Sequence, residues 1–355
     1  MPARMKILIV KLGAIGDIVH TLPALAAVRS ALPDAELSWV VEKRSAEILR
    51  GNRAIDHLIE IDTRSLRRER AVAGLLHRFR QQVHPLRGSK FEIAIDFQGL
   101  LKSAVIAKLS GAKKRYGFSR PALREPASRI LLTDGIDIPE RTHVVRKNLI
   151  LAAAALQIPL PETRFEFPVF TGKSHVLEAE GVASRAGGSF AILNPAGGWV
   201  TKLWPAANFG ALADLLWERF GLISVITAGP REEEIAAAVA AASLTGKAIT
   251  ARPSLKGFFE LAKRARVYIG GDTGPTHLAV AAGTPVVGIF GPTEWWRNGS
   301  TDHRDICVER TDIACRINCH RRTCSKWICM DIGVEAVFSA VEKRIGHDSA
   351  YIMHL

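Results

Sequence analysis

The chain has 355 residues, more than one hydrophobic core usually supports, so we expect two domains of ordinary size. Hydrophobic residues make up 48% of it and charged residues 23%, a composition that excludes a mostly disordered, collagen-like or disulfide-stapled chain. Basic residues exceed acidic ones by 13, and most of this excess lies in residues 1–170, where 28 basic residues face 17 acidic ones. This asymmetry predicts that the first half of the chain faces an anionic partner.

The pattern of apolar runs predicts a cytoplasmic protein. No run approaches the ~18–20 residues of a membrane helix. The apolar run that precedes Lys11 is too short for the core of a signal peptide. The five cysteines are odd in number and all follow residue 306, which does not fit a secretory disulfide framework.

The first half alternates between predicted strands and helices. Continuous apolar runs rich in β-branched residues are typical of buried parallel strands, and they occur at 6–10, 36–41, 57–61 and 91–97. Helical stretches lie between them, at 18–32, 68–84 and 99–110. Residues 157–172 carry three prolines and no helical period, which predicts a linker.

The alternation starts again after this linker. Strands are predicted at 190–195, 222–229, 266–271 and 285–291, the last of which closes the series. Helices are predicted at 206–220, 231–243, 276–282 and 333–345. Two successive strand–helix arrays indicate an α/β protein with two doubly wound, Rossmann-like domains facing each other. The predicted domains are 1–165 and 173–330. A C-terminal helix and tail follow at 331–355, and one arrangement for them is packing on the first domain.

Three glycine-rich turns follow predicted strands and are candidate ligand sites. The first is Gly13–Asp17, where Asp17 is either a helix N-cap, which the spacing favours, or a catalytic base. The second is Gly270–His277, whose glycines and polar side chains suit a sugar or a pyrophosphate. The third runs from Asn194 through two glycines to Lys202, which could neutralise a diphosphate.

Two basic clusters support the anionic partner. Residues 64–90 hold eight basic residues against Glu69 alone, and residues 102–129 hold eight against Glu125 alone. A single cluster is usually a solvated face, but two in one domain favour binding of an anion.

A cysteine-rich segment lies near the C-terminus. Its thiols are Cys315, Cys319, Cys324 and Cys329. These residue types suit zinc or iron, but the spacing lacks paired CxxC knuckles, so reduced thiols and a metal site remain equal alternatives. No two aspartates stand two apart, so the DxD pair that often holds a metal on a nucleotide diphosphate is missing, and we expect no divalent ion.

Three segments in this order resemble the heptosyltransferases of lipopolysaccharide core assembly, glycosyltransferase family 9. They are KLGAIGDIVHTLPAL, NPAGGWVTKLWP and GGDTGPTHLAVAAGTPVVGIFGPT, and the resemblance covers residues 5–345. It implies a GT-B fold, with the active site in the cleft between two Rossmann-like domains. The sequence LREP at 123–126 and the arginines of TRSLRR are similar to the heptosyltransferase I branch. That branch adds the first heptose from ADP-heptose to Kdo on lipid A, in an inverting displacement, at the anionic inner-membrane surface.

The resemblance implies roles for particular residues. Asp17 becomes the general base and Lys202 the partner of the donor diphosphate. The implied donor-binding residues are Gly16, Asn194, Gly197, Thr201, Glu232, Asp272, Thr273, Gly274 and His277. The implied acceptor-binding residues are Arg64, Arg67, Arg68 and Arg124.

Other functions remain as alternatives. The cysteine-rich segment departs from heptosyltransferase I and is more similar to heptosyltransferase II and to protein heptosyltransferases, in which a C-terminal cysteine motif can bind iron. An acceptor other than Kdo is therefore the first alternative. A sugar-nucleotide epimerase of the same fold needs no basic acceptor face, and a nucleic-acid-binding protein would not need the glycine turns. We expect no nucleic-acid partner.

Overall fold

The computed structural model describes residues 4–63, 79, 81–86, 88–162, 165–317 and 319–352. The chain divides into two compact units, Met1–Phe170 and Thr171–Leu355. The boundary between them lies within the proline-rich segment 157–172 that the sequence marks as a linker.

The first unit is built on a parallel sheet of six strands. In chain order they are β1 (Lys6–Val10), β2 (Glu36–Glu42), β3 (His57–Ile61), β4 (Ile93–Asp96), β5 (Lys114–Phe118) and β6 (Asp134–Ile136). Their order across the sheet is β3-β2-β1-β4-β5-β6. Within the described residues its helices include α1 (Ile15–Val19), α2 (Leu22–Ala31), α3 (Leu101–Leu109) and α4 (Val144–Leu156), with short 3-10 turns between some elements.

The predicted helix at 18–32 is two helices in the structure. The first ends at Val19, and the second begins at Leu22. Pro23 lies in the first turn of α2, where a missing N–H does no harm, whereas inside one long helix it would break the hydrogen-bond ladder.

The second unit repeats the plan. Its strands are β7 (Phe190–Asn194), β8 (Ile223–Thr227), β9 (Ala248–Ala251), β10 (Val267–Gly271), β11 (Val286–Phe290) and β12 (Ile306–Glu309), all parallel, in the order β12-β11-β10-β7-β8-β9. Its helices are α5 (Lys173–Arg185), α6 (Ala206–Phe220), α7 (Glu233–Ala242), α8 (Leu255–Ala262), α9 (Gly274–Ala281), α10 (Trp295–Asn298) and α11 (Val334–Ile352). None of the described helices is both long enough and apolar enough to cross a bilayer.

Two Rossmann-like α/β units confirm the predicted fold, but the sequence missed several elements. The missed strands are β5, β6, β9 and β12, and β12 shows that the second sheet does not close at residue 291. Three of these four strands are sheet edges of three or four residues, too short to give a continuous apolar run. The missed helices are α4, α5, α8 and the short α10. The predicted helix at 68–84 falls mostly outside the described residues.

The last helix belongs to the core of the second unit. Helix α11 packs on α6, β11 and β12, and Val337, Val341 and Ile345 are buried with the other core residues of that unit. The suggested packing of 331–355 on the N-terminal domain stays a prediction.

The strand order places the candidate turns. In the first sheet β1 lies between β2 and β4, and in the second sheet β7 lies between β8 and β10. At such a switch point the loops after neighbouring strands run in opposite directions and leave a crevice at the carboxyl ends. Residues 11–17 and 97–100 border this crevice in the first unit, and residues 195–202 and 272–274 border it in the second.

Candidate active site

The turn after β1 is held by one side chain of the neighbouring strand's loop. The backbone N–H groups of Leu12 and Gly13 donate to Oε1 of Gln98, at 3.0 and 3.3 Å. Gly13 has φ +145°, and a Cβ on it would lie 2.9 Å from Oγ of Ser45. The position therefore requires glycine.

Asp17 is anchored at both carboxylate oxygens. Its Oδ2 accepts the N–H of Ala14 at 3.0 Å, and its Oδ1 lies 3.9 Å from Nζ of Lys11. The N-cap of α1 is Ala14, so the prediction that Asp17 is itself the N-cap was wrong: it lies in the first turn and reaches back to the cap. Its side chain remains 35% exposed, so a solute can approach it.

Beneath this turn lie two buried charged groups. Lys11 is 4% exposed, and its Nζ donates to the carbonyl of Phe97 at 2.8 Å. Asp96, at the end of β4, accepts hydrogen bonds from the N–H groups of Gln98 and Gly99 and from Oγ of Ser103. Burial raises the pKa of Asp96 to about 6, although these hydrogen bonds and the charge of Lys11 oppose the rise.

The turn after β10 is centred on Asp272, which is 8% exposed. Its Oδ2 lies 2.6 Å from Nζ of Lys202, and its Oδ1 accepts the amide of Asn298 at 2.7 Å and lies 3.3 Å from Nε2 of His277. Burial by itself would raise the pKa of Asp272. The hydrogen bond from His277 and the charge of Lys202 outweigh it and hold the pKa far below its usual range. The carboxylate is therefore ionised at neutral pH and fixes the cation beside it.

Lys202 is held on three sides. Besides the carboxylate, its Nζ donates to the backbone carbonyl of Asp272 at 3.0 Å and lies 4.4 Å from the ring centre of Trp199. The guanidinium of Arg322 lies 5.4 Å from the same ring. Two cations thus lie against the ring of Trp199 next to the glycine turn, and cation–π attraction favours this arrangement.

A chain of hydroxyl groups connects the second and third turns. Oγ1 of Thr273 donates to Oδ1 of Asn194 at 3.4 Å and lies 3.3 Å from Oγ1 of Thr276, which in turn lies 2.9 Å from the hydroxyl of Tyr268. Helix α9 begins at Gly274, directly after Thr273, so its first N–H groups open at this edge of the sheet.

Two predicted donor-binding residues make contacts inside the protein. Oγ1 of Thr201 donates to the carbonyl of Arg321 at 2.7 Å. Glu232 accepts the N–H of Gly229 at 2.7 Å through Oε2, whereas Glu233 pairs with Arg252 at 2.7 Å. Of these two glutamates, Glu232 is the one whose carboxylate lies on the loop after β8.

The remaining predicted residues are dispersed. Gly197 is tightly packed, because a Cβ there would lie 3.1 Å from Leu203. Gly16 is buried within α1 of the first unit, and Arg124 is exposed in the same unit. Arg64, Arg67 and Arg68 lie outside the described residues.

The sequence did not single out several residues of these sites. They are Lys11, Asp96, Gln98, Trp199, Arg297, Asn298 and Arg322, whereas His320 was noted only as a neighbour of the cysteine segment. Nε2 of His320 lies 3.1 Å from Nη1 of Arg297, and burial together with the nearby charge of Arg297 lowers the pKa of His320. Trp199 follows a glycine pair that the sequence did mark, whereas nothing local distinguishes Asn298.

The four C-terminal thiols are free. Burial raises the pKa of Cys329, and the charges of Cys319, Cys324 and Cys315 add to this rise. Within the described residues, which omit residue 318, no three Cys, His, Asp or Glu side chains are grouped as metal ligands. A zinc or iron site at these cysteines stays a prediction.

Two Rossmann-like units with polar loops at the switch point of each sheet have the architecture of the GT-B class of glycosyltransferases, although the fold alone does not set the activity. A family model described as glycosyltransferase family 9 (heptosyltransferase) matches residues 77–328. The lipopolysaccharide heptosyltransferase 1 of Pseudomonas aeruginosa PAO1 is 31% identical over 324 residues, which cover 90% of this chain and 88% of that protein. The chain therefore belongs to glycosyltransferase family 9, as its motifs predicted, and the prediction of an enzyme is confirmed.

Solved structures agree on the fold. The Escherichia coli heptosyltransferase WaaC with ADP matches with a TM-score of 0.77 at 24% identity, over 96% of this chain and 100% of that one. A family 9 glycosyltransferase from Veillonella parvula matches with a TM-score of 0.79 at 19% identity, over 98% of this chain and 99% of that one.

Proposed function

We propose that this chain moves L-glycero-D-manno-heptose from ADP-heptose to Kdo of lipid A in synthesis of the lipopolysaccharide inner core. The observation that carries the proposal is its similarity, over nine tenths of its length, to a relative named lipopolysaccharide heptosyltransferase 1. A second WaaC structure is described as holding ADP-2-deoxy-2-fluoro heptose, which supports ADP-heptose as the donor here.

Asp17 is the proposed general base. A carboxylate that is one-third exposed on a turn rigidly held by Gln98 can reach a substrate while keeping its position. Its Oδ2 is occupied by the N–H of Ala14, which leaves Oδ1 as the oxygen that takes the proton from the acceptor hydroxyl.

Lys202 is the proposed partner of the leaving diphosphate. An ammonium group has three N–H donors, and two of them are used on Asp272. The third is available to a phosphate oxygen, and the first N–H groups of α9 add further donors from the same edge. Asp272, Asn298 and His277 are then positioning residues that hold this cation in place.

The reaction is a single inverting displacement. The acceptor oxygen forms a bond to the anomeric carbon of the heptose while the bond from that carbon to the ADP oxygen breaks. The hydroxyl proton goes to Asp17, and the electron pair leaves with ADP, whose growing charge Lys202 stabilises. A positioned base contributes about 10²–10⁴-fold to such a step.

The basic first half of the chain is proposed to face the acceptor. Kdo carries a carboxylate and lipid A carries phosphates, and Arg124 with the arginines of 64–68 would bind them. Clustered Lys and Arg near anionic lipid contribute about 1 kcal/mol each, which supports peripheral attachment at the cytoplasmic face of the inner membrane.

ADP release from ADP-heptose tests the proposal, with Kdo-terminated lipid A and the same core carrying one heptose as parallel acceptors. We expect release with the first acceptor only, and a kcat about 10²–10⁴-fold lower in Asp17→Asn. Asp34→Asn is the matched control, because Asp34 is exposed in the same unit, and it should retain full activity.

The other outcomes separate the alternatives. Release only with the heptosylated core would move the enzyme to the heptosyltransferase II step, and silence with both acceptors would reject the substrate assignment. Unchanged kcat in Asp17→Asn would reject Asp17 as the base.

A further inference from the structure

An open pocket of about 470 Å³ lies at the edge of the second sheet that is opposite to Asp272. Its lining comes from the segments that lead into four neighbouring strands. Ser189 directly precedes β7, Arg266 precedes β10, Pro285 precedes β11, and Arg304 lies just before β12. Because these strands are parallel, their amino ends meet along this edge.

The side chains that face this pocket are strongly basic. Arg264, Arg266, Arg304 and Arg344 all line it, and among the described residues no carboxylate does. Gly188 and Gly283 also line it, and no atom lies within 4 Å of the place where their Cβ would be. The pocket therefore combines four guanidinium groups with open space.

The acidic partners of these arginines hold them from outside the lining. Nε of Arg344 donates to Oδ1 of Asp305 at 2.7 Å, and Asp305 also accepts the N–H of Val286 at 2.8 Å at the base of β11. Asp302 lies 2.7 Å from Nη2 of Arg304. Nη2 of Arg264 lies 3.3 Å from Glu180, and its Nη1 lies 3.5 Å from Glu260. These carboxylates hold three of the four guanidinium groups in place and offset part of their charge, but none of them lines the pocket, so arginine is the charged residue that a ligand would meet there.

Planar guanidinium groups match the oxygens of a phosphate, and several together favour more than one phosphate group or a doubly charged one. The volume exceeds that of a bare ion and falls within the range of small-molecule sites, about 300–1,000 Å³. We propose that this pocket is a second ligand site of the enzyme, which takes a small phosphorylated molecule through Arg264, Arg266 and Arg304.

This site is separate from the one proposed for the donor. The carboxyl ends of the strands carry Lys202 and Asp272, whereas the pocket lies at their amino ends. The inference therefore does not depend on the identity of the donor or the acceptor, and a ligand there would act on the enzyme as an effector rather than as a reactant.

Calorimetric titration of the full chain with inorganic pyrophosphate tests the inference, with ADP held at saturation to fill the donor site. We expect one pyrophosphate per chain and a loss of at least about tenfold in affinity in Arg304→Ala, because a hydrogen bond to a charged group is removed. Arg304 has a side chain 43% exposed, so this variant should fold, and Arg266→Ala provides a second substitution in the pocket.

Arg310→Ala is the matched control. Arg310 lies in the same unit, pairs with Asp312 at 2.6 Å and does not line the pocket, so its removal should leave pyrophosphate affinity unchanged. The proposal would be overturned if pyrophosphate did not bind the wild type, or if Arg304→Ala and Arg266→Ala bound it with the affinity of the wild type. A loss of pyrophosphate affinity in Arg310→Ala as large as that in the pocket variants would also overturn it.

A lipid headgroup is the other source of the same chemistry. Phosphatidylcholine vesicles with and without phosphatidylglycerol distinguish it from a soluble ligand. We expect Arg304→Ala to bind the anionic vesicles as the wild type does. Loss of vesicle binding in this variant, without pyrophosphate binding in the wild type, would overturn the assignment to a small molecule.

Discussion

Lys11 places its ammonium nitrogen 3.9 Å from Oδ1 of Asp17 while its own side chain is almost entirely buried. The same ammonium is bonded to the carbonyl of Phe97, and its charge acts on the buried Asp96. The positive charge of Lys11 thus acts both on the carboxylate proposed as the base and on the buried carboxylate beneath it.

Substitution Lys11→Met should lower both stability and kcat. The buried carbonyl of Phe97 would lose its hydrogen bond from Lys11, which costs about 1–3 kcal/mol, and Asp96 would lose a nearby positive charge. The turn that carries Asp17 would lose an anchor. Denaturant unfolding and steady-state kinetics measure the two effects. Lys6→Met is the control, since Lys6 makes a partly exposed ion pair with Glu36. An equal loss of stability and kcat in both variants would contradict the role of Lys11.

The stability of the protein should depend on pH through Asp96. Its pKa is raised from 3.8 to about 6 by burial, so the folded state holds the proton more tightly than the unfolded state. The contribution of Asp96 to the free energy of unfolding is fully present below about pH 4 and is lost as pH rises through about 6.

Asp96→Asn tests this dependence, because an amide keeps the acceptor for Gln98 and Gly99 and does not titrate. As pH rises through this range, the free energy of unfolding of the variant should increase by roughly 3 kcal/mol relative to that of the wild type. Parallel stability curves for the two proteins between pH 4 and 7 would contradict the prediction.

Lys202→Met should reduce kcat by about 10²–10³-fold, the usual cost of removing one group that stabilises charge in a transition state. It also leaves Asp272 buried without its ammonium partner, so the free energy of unfolding should fall. Lys247→Met is the matched control, because Lys247 lies over Trp217 at 4.5 Å much as Lys202 lies over Trp199. A kcat equal to that of the control would reject the role of Lys202.

Cys324 should be the first thiol to react with iodoacetamide. It is exposed, and the N–H of Trp327, 3.4 Å from its Sγ, lowers its pKa together with nearby positive charges. Burial raises the pKa of Cys307 and of Cys329. Timed alkylation followed by peptide mass spectrometry measures the order, and Cys324→Ser should abolish the fast phase. A fast phase that persists in this variant would contradict the assignment.

Local patterns were sufficient for much of the architecture. The interior strands of both sheets, except β5, lie where apolar runs predicted them, because a strand covered on both faces needs a continuous apolar sequence. Strand β5 begins with Lys114 and Arg115 and has no such run. Short edge strands such as β6 and β12 have no such run, and the sequence missed them for that reason.

The sequence by itself determined the two strand–helix arrays, the glycine turns at strand ends and the family, since each of these is written in neighbouring residues. Only the tertiary structure decided that Lys202 pairs with Asp272, 70 residues away, that Asn298 donates to the same carboxylate, and that Lys11 lies beneath Asp17. It also gathered four arginines at the amino ends of four strands. Strand order brings distant segments together, and no local period encodes which segments become neighbours.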